Sequence, residues 1–309
     1  MHIFILKRLA MMIPVLLGVI FIMFVLMHLT PGDPAQARLG EAADPVVVAQ
    51  LREEMGLNNP FIVQFGSYLL GVLRLDFGES WRPPHRPVFT EIFARFPNTI
   101  QLAGMGIVLA LVLGIPLGIL SAVKQYSVFD TGATFVGLLG VSIPNFWLGM
   151  MMILFFTVRM GLLPPTGFGT PQQWIMPTIA IGTGSAAIIM RMTRSSMLEC
   201  IRQDYIRTAR AKGQTEQKVI FRHALKNALI PVTTTAGLSF GFLLGGAVLT
   251  ETIFAIPGLG AFMVSAFFLR DWPIAIGGVL LIAVSFSFVN LFVDILYAFI
   301  DPRIRSQYR

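Results

Sequence analysis

The stretch Arg191–Lys226, RMTRSSMLECIRQDYIRTARAKGQTEQKVIFRHALK, decides the fold of this chain. It carries nine basic residues against Glu199, Asp204 and Glu216, and a long apolar run lies on either side of it. Loops that remain in the cytoplasm carry an excess of Lys and Arg. The stretch is therefore predicted to be a cytoplasmic loop between two transmembrane helices, and the other spans are oriented from it.

The composition of the whole chain agrees with a membrane protein. Of its 309 residues 55% are hydrophobic and 13% charged, whereas soluble domains average roughly 45–50% apolar and about 25% charged residues. The net charge of +7 comes from basic residues grouped between apolar runs, which favours membrane orientation over nucleic-acid binding. The single Cys200 excludes an intrachain disulfide, and the spacing of the four histidines resembles no metal-ligand pattern.

Seven stretches free of Asp, Glu, Lys and Arg approach or exceed the roughly 20 residues that a transmembrane helix needs. They are Leu9–Leu29, Ile100–Val123, Thr131–Val158, Trp174–Met190, Asn227–Thr250, Thr252–Leu269 and Trp272–Ile300, the last interrupted by Asp294. The first is too long for a secretory signal and has no cleavage site after it, so it is interpreted as an uncleaved span. The sixth is short and contains the sequence IPGLG.

Basic residues at both ends of the chain indicate how many of these stretches cross. Lys7, Arg8 and three arginines after residue 300 also favour the cytoplasm, and they agree with Arg191–Lys226 only if Thr252–Leu269 does not cross. We therefore expect an all-α polytopic fold with six transmembrane helices and both termini cytoplasmic. Thr252–Leu269 is expected to form short helices or a re-entrant loop on the outer side.

The long segment Thr30–Asn98 is expected outside, because loops longer than about 60 residues are translocated largely regardless of charge. Val46–Leu57 and Phe61–Leu75 carry apolar residues at helical spacing and predict two helices. A folded helical cap is favoured over a solvated connector, since connectors rarely carry this much periodic apolar surface.

Two short helices are predicted inside the basic loop. Tyr205–Lys212 contains good helix formers, Gly213 can end a helix in the left-handed conformation, and Thr215–Glu216 can start another before Pro231 opens the next span. Such a pair would form a stiff knob at the cytoplasmic face. The alternative is a basic helix bound to anionic lipid at about 1 kcal/mol per charge, which explains neither the Ala-Gly spacing nor the second helix.

The loop motif YIRTARAKG, followed by HALKNALIPV, occurs together with four further motifs that cover most of the chain. These are KRLAMMIPVLLGVIFIMFVLMHLTPGDPA near the start, VSIPNFWLGMM at Val141–Met151, FLLGGAVLTETIFAIPGLG at Phe242–Gly260 and NLFVDILYAFIDPRIR near the end. In this order they resemble ABC importer permeases of the branch that carries dipeptides, oligopeptides, glutathione and nickel chelates. The resemblance implies a type I importer permease fold. It also implies a first helix and external loop at 1–98, and a core domain at 99–309 with five spans and coupling helices near 204–226.

In that family an Ala-Ala-x3-Gly core lies on a coupling helix that docks into a groove of an ATPase subunit. Ala209 and Gly213 match this core, whereas Thr208 replaces the first Ala and Arg207 stands where the general consensus has Glu. The resemblance assigns ATPase coupling to Tyr205, Arg207, Thr208, Ala209, Ala211, Lys212, Gly213 and Gln214.

Polar residues in or beside the apolar spans are candidates for the solute path. They are Ser142, Asn145, Glu251, Asn290 and Asp294. For Asp294 we favour an ion pair with a basic residue near the cytoplasmic end, either Arg303 or Arg194. Asn145 either caps a broken helix or lines the path. Glu251 either meets solute or a delivery protein or, slightly favoured, is solvated.

Small residues predict close helix packing in two spans, either within one subunit or at a sliding interface for alternating access. These residues are Gly104, Gly106, Gly114 and Gly118 in the second span and Gly237, Gly241, Gly245 and Gly246 in the fifth.

No GxxxxGK[ST] loop is present, so we expect no catalysis and no cofactor in this chain. The resemblance implies a bacterial inner-membrane complex with a second permease, identical or different, two ATPase subunits or domains that bind ATP and Mg, and an external solute-binding protein. A dipeptide or oligopeptide is the favoured solute, with glutathione, nickel chelates, opines and sugars as alternatives. Two other classes of membrane protein are less favoured. A stand-alone secondary transporter would show duplicated halves or several intramembrane charges, and the sequence shows neither. An intramembrane enzyme would show a nucleophile and a base at membrane depth, and no such arrangement is found in the sequence.

Overall fold

The computed structural model describes residues 2–30, 32–40 and 42–300, without the side chains of residues 2–4 and 297–300. The regular secondary structure of the described residues is helical, apart from one isolated β-bridge between Glu79 and Pro87. The helices are α1 (His2–Leu29), α2 (Pro34–Leu39), α3 (Pro45–Glu54), α4 (Phe61–Leu73), α5 (Val88–Val123), α6 (Val128–Ser142), α7 (Asn145–Met152), α8 (Pro171–Ile201), α9 (Asp204–Ala211), α10 (Glu216–Lys218), α11 (Leu225–Gly246), α12 (Val248–Ile253), α13 (Leu259–Phe268) and α14 (Trp272–Ile300). Two π-helical segments, Ile153–Arg159 and Val219–Ala224, continue α7 and join α10 to α11.

Five helices are long and apolar enough to cross a membrane, and a bent pair makes a sixth. The five are Ile5–Leu29, Val88–Val123, Pro171–Ile201, Glu216–Gly246 and Trp272–Leu296, and the pair is Val128–Ser142 with Asn145–Arg159, bent by 97°. Pro144 explains the break, because its ring disfavours a helical conformation of the preceding Ile143, which is extended at φ −81° and ψ 121°. The predicted all-α fold with six spans is confirmed when the pair counts as one.

The helices run further than the apolar stretches that predicted them. α5 begins at Val88, twelve residues before Ile100, and α8 continues past Met190 to Ile201. Apolar residues mark the hydrocarbon, whereas the backbone hydrogen bonds of a helix continue wherever no breaker intervenes. The predicted division at residues 98 and 99 therefore falls inside α5, and the division itself stays a prediction.

The segment between α1 and α5 forms a helical cap. The predicted helices at Val46–Leu57 and Phe61–Leu75 are confirmed as α3 and α4. Phe65 and Tyr68 of α4 pack against Phe24 of α1, with ring centroids 5.5 and 5.6 Å apart. These aromatic contacts fix the cap to one end of the first span.

The stretch Thr252–Leu269 consists of short helices, as predicted. α13 has 10 residues and is about 15 Å long at 1.5 Å per residue, half of the roughly 30 Å of hydrocarbon. Asn98, near the start of α5, donates to the carbonyl of Pro257 at 2.8 Å. At the other end of α5, Ile119 and Ala122 lie in the hydrophobic cluster that contains α9 residues. The short helices after the fifth span and α9 therefore lie at opposite ends of a helix about 54 Å long.

Glycines allow the central helices to pack closely. A Cβ atom at Gly114 would lie 2.8 Å from the carbonyl oxygen of Ala186, and one at Gly118 would lie 2.6 Å from that of Met190. The prediction of close packing is confirmed there, and also at Gly106, Gly237 and Gly241. It is wrong for Gly104 and Gly246, where a Cβ would meet open space, and for Gly245, where the contact would be ordinary.

Candidate functional site

α9 is an amphipathic helix that packs against the ends of the membrane helices. Ile206 and Ala209, three residues apart on one face, are buried in a cluster with Ile119, Met197 and Val219. Residues three apart share a helix face, and the opposite face of α9 is exposed. The buried contacts hold the helix against the bundle along one side.

The turn after α9 has the geometry that was predicted for it. Gly213 has a φ of 76°, its N–H donates to the carbonyl of Arg210 at 2.9 Å, and the N–H of Gln214 donates to that of Ala209 at 3.3 Å. This pair of bonds is a Schellman motif, which places a glycine in the left-handed region just past a helix end. The chain resumes its helix at Glu216 after Thr215 in extended conformation.

Polar contacts tie α9 to the helix that follows. Arg210 donates to Glu216 across the turn at 2.6 and 3.1 Å, and Asn227 donates to the hydroxyl of Tyr205 at 3.0 Å. The hydrogen bonds to Glu216 raise the pKa of Arg210, and partial burial raises the pKa of the Tyr205 phenol. Both ends of α9 are thus linked to the next helix.

Seven of the eight residues assigned to coupling are exposed on this helix and turn. They are Tyr205, Arg207, Thr208, Ala211, Lys212, Gly213 and Gln214. The eighth, Ala209, is only 9% exposed and packs into the protein's own cluster. Ala209 shares the inward face with Ile206, and its assignment to ATPase coupling stays a prediction.

The second predicted helix is not a separate short helix. Glu216–Gly246 forms one continuous helical rod of 31 residues, with the π-helical turn at Val219–Ala224 inside it. Pro231 lies within this rod and does not open a span. Proline is tolerated inside membrane helices because neighbouring groups and local π adjustments satisfy the freed backbone.

A buried ion pair near α9 was missed by the sequence analysis. Asp130 of α6, 4% exposed, accepts from Arg194 of α8 at 2.7 and 2.8 Å and from the N–H of Tyr126 at 3.0 Å. The hydroxyl of Ser121 at the end of α5 donates to the same carboxylate. Asp130 immediately precedes the apolar stretch from Thr131, and this flanking acid was the available signal. One carboxylate thereby joins α5, α6 and α8.

The path candidates Ser142 and Asn145 lie at the break between α6 and α7. The hydroxyl of Ser142, an exposed residue, donates to the carbonyl of Leu138 at 2.9 Å within its own helix. Asn145 is half-buried and begins α7 without a side-chain cap bond, so the capping alternative is not supported. Its Oδ1 lies near Gly184 of α8.

The candidates Asn290 and Asp294 lie on α14, in another part of the bundle. The Oδ1 atom of Asn290 is buried without a hydrogen-bond partner. Asp294 forms an ion pair with Arg8 of α1 at 3.1 Å. Asp294 was expected to pair with a basic residue, either Arg194 or Arg303, and its basic partner is Arg8. Arg194 binds Asp130 instead, and Arg303 lies outside the described residues.

Glu251 is buried and not solvated. Its side chain is fully buried, Thr99 donates to Oε1 at 2.6 Å, and the N–H of Ala261 donates to Oε2 at 2.9 Å. Thr99 also accepts from the N–H of Leu259 at 2.9 Å. Glu251 therefore holds the start of α13 against α5, so the expectation that it is solvated is wrong, and its role in the solute path stays a prediction.

No group of three or more His, Cys, Asp and Glu side chains within 2–30, 32–40 and 42–300 could hold a metal ion. The exposed α9 and its turn are the candidate site that the geometry supports.

Comparisons with known proteins agree with this architecture. Residues 114–306 match the family model of the binding-protein-dependent transport system inner membrane component, and residues 1–103 match the model of its N-terminal part. This chain belongs to that family of inner membrane components. Such components are the transport permeases of ABC importers and are not catalytic themselves. This one is a multi-pass protein of the bacterial inner membrane.

Named relatives of this inner membrane component are similar over nearly their whole length. The dipeptide transport system permease protein of Alkalihalophilus pseudofirmus is 45% identical, with 97% of this chain and 98% of the relative covered. The protein of the same name in Escherichia coli K12 is 42% identical, with 98% and 99% covered. The glutathione transport system permease protein of Salmonella choleraesuis is also 42% identical, with 98% of both covered.

Solved structures show the same fold. A chain of the MetNI methionine ABC transporter in inward-facing conformation superposes with a TM-score of 0.56 at 19% identity, covering 68% of this chain and 96% of the other. A chain of an amino acid ABC transporter with histidines gives 0.53 at 13% identity, covering 69% and 94%. The expected type I importer permease fold is thereby confirmed for this inner membrane component.

Proposed function

We propose that this chain is the permease subunit of an ATP-driven importer whose solute is a dipeptide. The observation that carries the proposal is the full-length similarity to two dipeptide permeases at 45% and 42% identity. Glutathione is the second candidate, since a glutathione permease is 42% identical over the same length. Both solutes are short peptides with free carboxylates.

We propose α9 and its turn as the element that receives force from an ATPase subunit. Seven of its assigned residues are exposed, its other face is buried, and Arg210 and Tyr205 connect it to the rod Glu216–Gly246. A helix held on one side and linked at both ends transmits a push without deforming. ATP and Mg are bound by the partner, because the sequence has no GxxxxGK[ST] loop.

The remaining partners follow from the same assembly. A second homologous permease completes the path, two ATPase subunits or domains contact the α9 end, and an external solute-binding protein approaches the cap. Both termini of this chain then lie in the cytoplasm with α9. The two-part division at residue 98 separates the first helix and cap from the five helices of the core.

Uptake measurements test the solute. A strain that lacks this chain should lose uptake of radiolabelled alanyl-alanine and regain it when the chain is restored. Loss of glutathione uptake alone would replace dipeptide by glutathione. Unchanged uptake of both, or purification of the tagged chain without any ATPase subunit, would overturn the importer assignment.

A further inference from the structure

A cavity of about 380 Å³ opens between the cap and the outer ends of two membrane helices. Its walls include Thr30, Gly32 and Asp33 between α1 and α2, Trp81 and Arg82 of the cap, and Phe268, Arg270 and Trp272 where α13 meets α14. Three distant parts of the chain thus enclose one space. Its volume lies within the roughly 300–1,000 Å³ of small-molecule sites.

Two guanidinium groups in this cavity have no carboxylate partner among the described residues. Arg82 donates twice to the carbonyl of Leu269, at 3.0 and 2.6 Å, which orients its side chain and leaves three of its five N–H groups. The Arg270 side chain makes no hydrogen bond or ion pair within the described part of the chain. Among the described wall residues the one acid is Asp33, which is bound by Arg52. Arg82 and Arg270 therefore outnumber the acids in the described cavity wall, and the nearby carboxylate of Asp271 is occupied by Ser80 and the N–H of Trp81.

The backbone at Arg270 adds a second observation. Arg270 follows α13 in a Schellman turn, in which its N–H donates to Phe267 at 3.1 Å and that of Asp271 to Ala266 at 2.8 Å. Its φ is 58°, a conformation that glycine adopts without strain and that other residues rarely adopt. An arginine at this position bears that strain and places its guanidinium at the cavity.

We propose that this cavity binds the terminal carboxylate of a small peptide, with Arg270 and Arg82 as its ligands and Trp81, Phe268 and Trp272 as the apolar wall for the side chain. A planar guanidinium matches a carboxylate through two parallel hydrogen bonds. Aromatic walls beside a few fixed polar groups are the usual composition of a small-ligand site. The proposal rests on the proposed function, because it takes the peptide as the solute.

The site lies on the outer, cap side of the protein, away from α9. A peptide released by a binding protein would meet it before entering the bundle. The same guanidinium pair could take the phosphate of a lipid headgroup, which shares the oxyanion chemistry, so the experiment must separate these two sources.

Titration calorimetry on the complete transporter in phosphatidylcholine nanodiscs, without binding protein, tests the site. Alanyl-alanine should bind, and alanyl-alanine amide should bind about tenfold more weakly, because the amide removes charge-assisted hydrogen bonds. Arg270→Gln should remove this preference, and Arg270→Lys should retain part of it. Arg74→Gln, an equal charge change on an exposed cap arginine outside the cavity, should leave it unchanged.

Several outcomes overturn the proposal. Equal affinity for the two peptides, absence of binding, or an unaltered preference in Arg270→Gln would each do so. If Arg270→Gln instead reduces the phosphatidylglycerol retained in native mass spectrometry and leaves the peptide affinity unaltered, the oxyanion is a lipid phosphate. Dipeptide uptake in cells is measured separately. If the cavity proposal fails, the calorimetric preference is absent while uptake still depends on this chain; if the proposed function fails, uptake itself does not depend on this chain.

Discussion

Arg194 of α8 holds Asp130 of α6 in a bidentate ion pair, with Nε–Oδ1 and Nη2–Oδ2 distances of 2.7 and 2.8 Å. The Asp130 side chain is 6% exposed and that of Arg194 is 27% exposed. Ser121 and the backbone of Tyr126 donate to the same carboxylate. This contact links the ends of α5, α6 and α8.

Removal of one partner should destabilise the protein strongly. Arg194→Met leaves a buried carboxylate without its cation, which costs about 3–5 kcal/mol at such pairs. The thermal unfolding midpoint of the purified protein in detergent should fall clearly. Arg191→Met, on the same helix but exposed, is the matched control and should change it little. A double variant with Asp130→Asn that is no more stable than Arg194→Met would contradict the assigned pairing.

A side chain at Gly118 should disturb the packing of α5 on α8. The Cβ atom of Gly118→Ala would lie 2.6 Å from the carbonyl oxygen of Met190 and from Cβ of Thr193. Backbone atoms move less easily than the end of a flexible side chain, so we expect the free energy of unfolding to fall by about 1–3 kcal/mol. Gly104→Ala on the same helix meets open space and should be neutral or stabilising by up to about 1 kcal/mol. Equal stability of the two variants would refute the close approach.

Replacement of Glu251 should loosen the start of α13. Glu251→Gln keeps the size of the side chain but replaces one of the two accepting oxygens by an NH2 group. Either the Thr99 hydroxyl or the N–H of Ala261 then loses its acceptor. An unsatisfied buried donor costs about 1–3 kcal/mol. Limited proteolysis should cleave within Phe254–Gly260 faster than in the parent protein. Thr252→Val, whose hydroxyl bonds only to Val248 of its own helix, should show the parent rate, and resistance of Glu251→Gln would remove Glu251 from this role.

A charge at Gly213 should separate ATP hydrolysis from uptake. Gly213→Asp enters an exposed turn with a φ of 76°, which Asp and Asn tolerate better than other residues. Loss of about 1.4 kcal/mol of docking energy would lower uptake tenfold, while the amount of protein in the membrane stays the same. Gly213→Asn has the same shape without the charge and should keep most of the uptake. Parent-level uptake by Gly213→Asp would count against α9 as the coupling element.

The sequence predicted the spans and the turn because both depend on local chemistry. α14 begins at Trp272 as predicted, since the charged residues Arg270 and Asp271 precede it and Pro273 lies in its first turn, where proline is tolerated. Gly213 ends α9 because a left-handed residue is needed there and glycine supplies it. Hydropathy predicts a span and glycine placement predicts a helix end without any knowledge of the tertiary contacts.

The surroundings of individual polar residues were not predictable in this way. Glu251 is buried because Thr99, 152 residues earlier, and the N–H of Ala261 meet its carboxylate. Ala209 points inward because Ile119 at the distant end of α5 lies beside its face. Pro231 stays inside a helix because the packed bundle overrides a local breaking tendency. Each of these outcomes depends on contacts between remote segments.

The continuous helix Glu216–Gly246 is long enough for a small tilt at one end to produce a larger displacement at the other. Its 31 residues extend about 46 Å at 1.5 Å per residue, so a tilt of about 5° about its lower end displaces its upper end by about 4 Å. That upper end leads directly into α12, which carries Glu251. Movement of α9 by an ATPase subunit, as proposed above, would therefore be larger at α12, where the Glu251 carboxylate accepts from the N–H of Ala261 in α13.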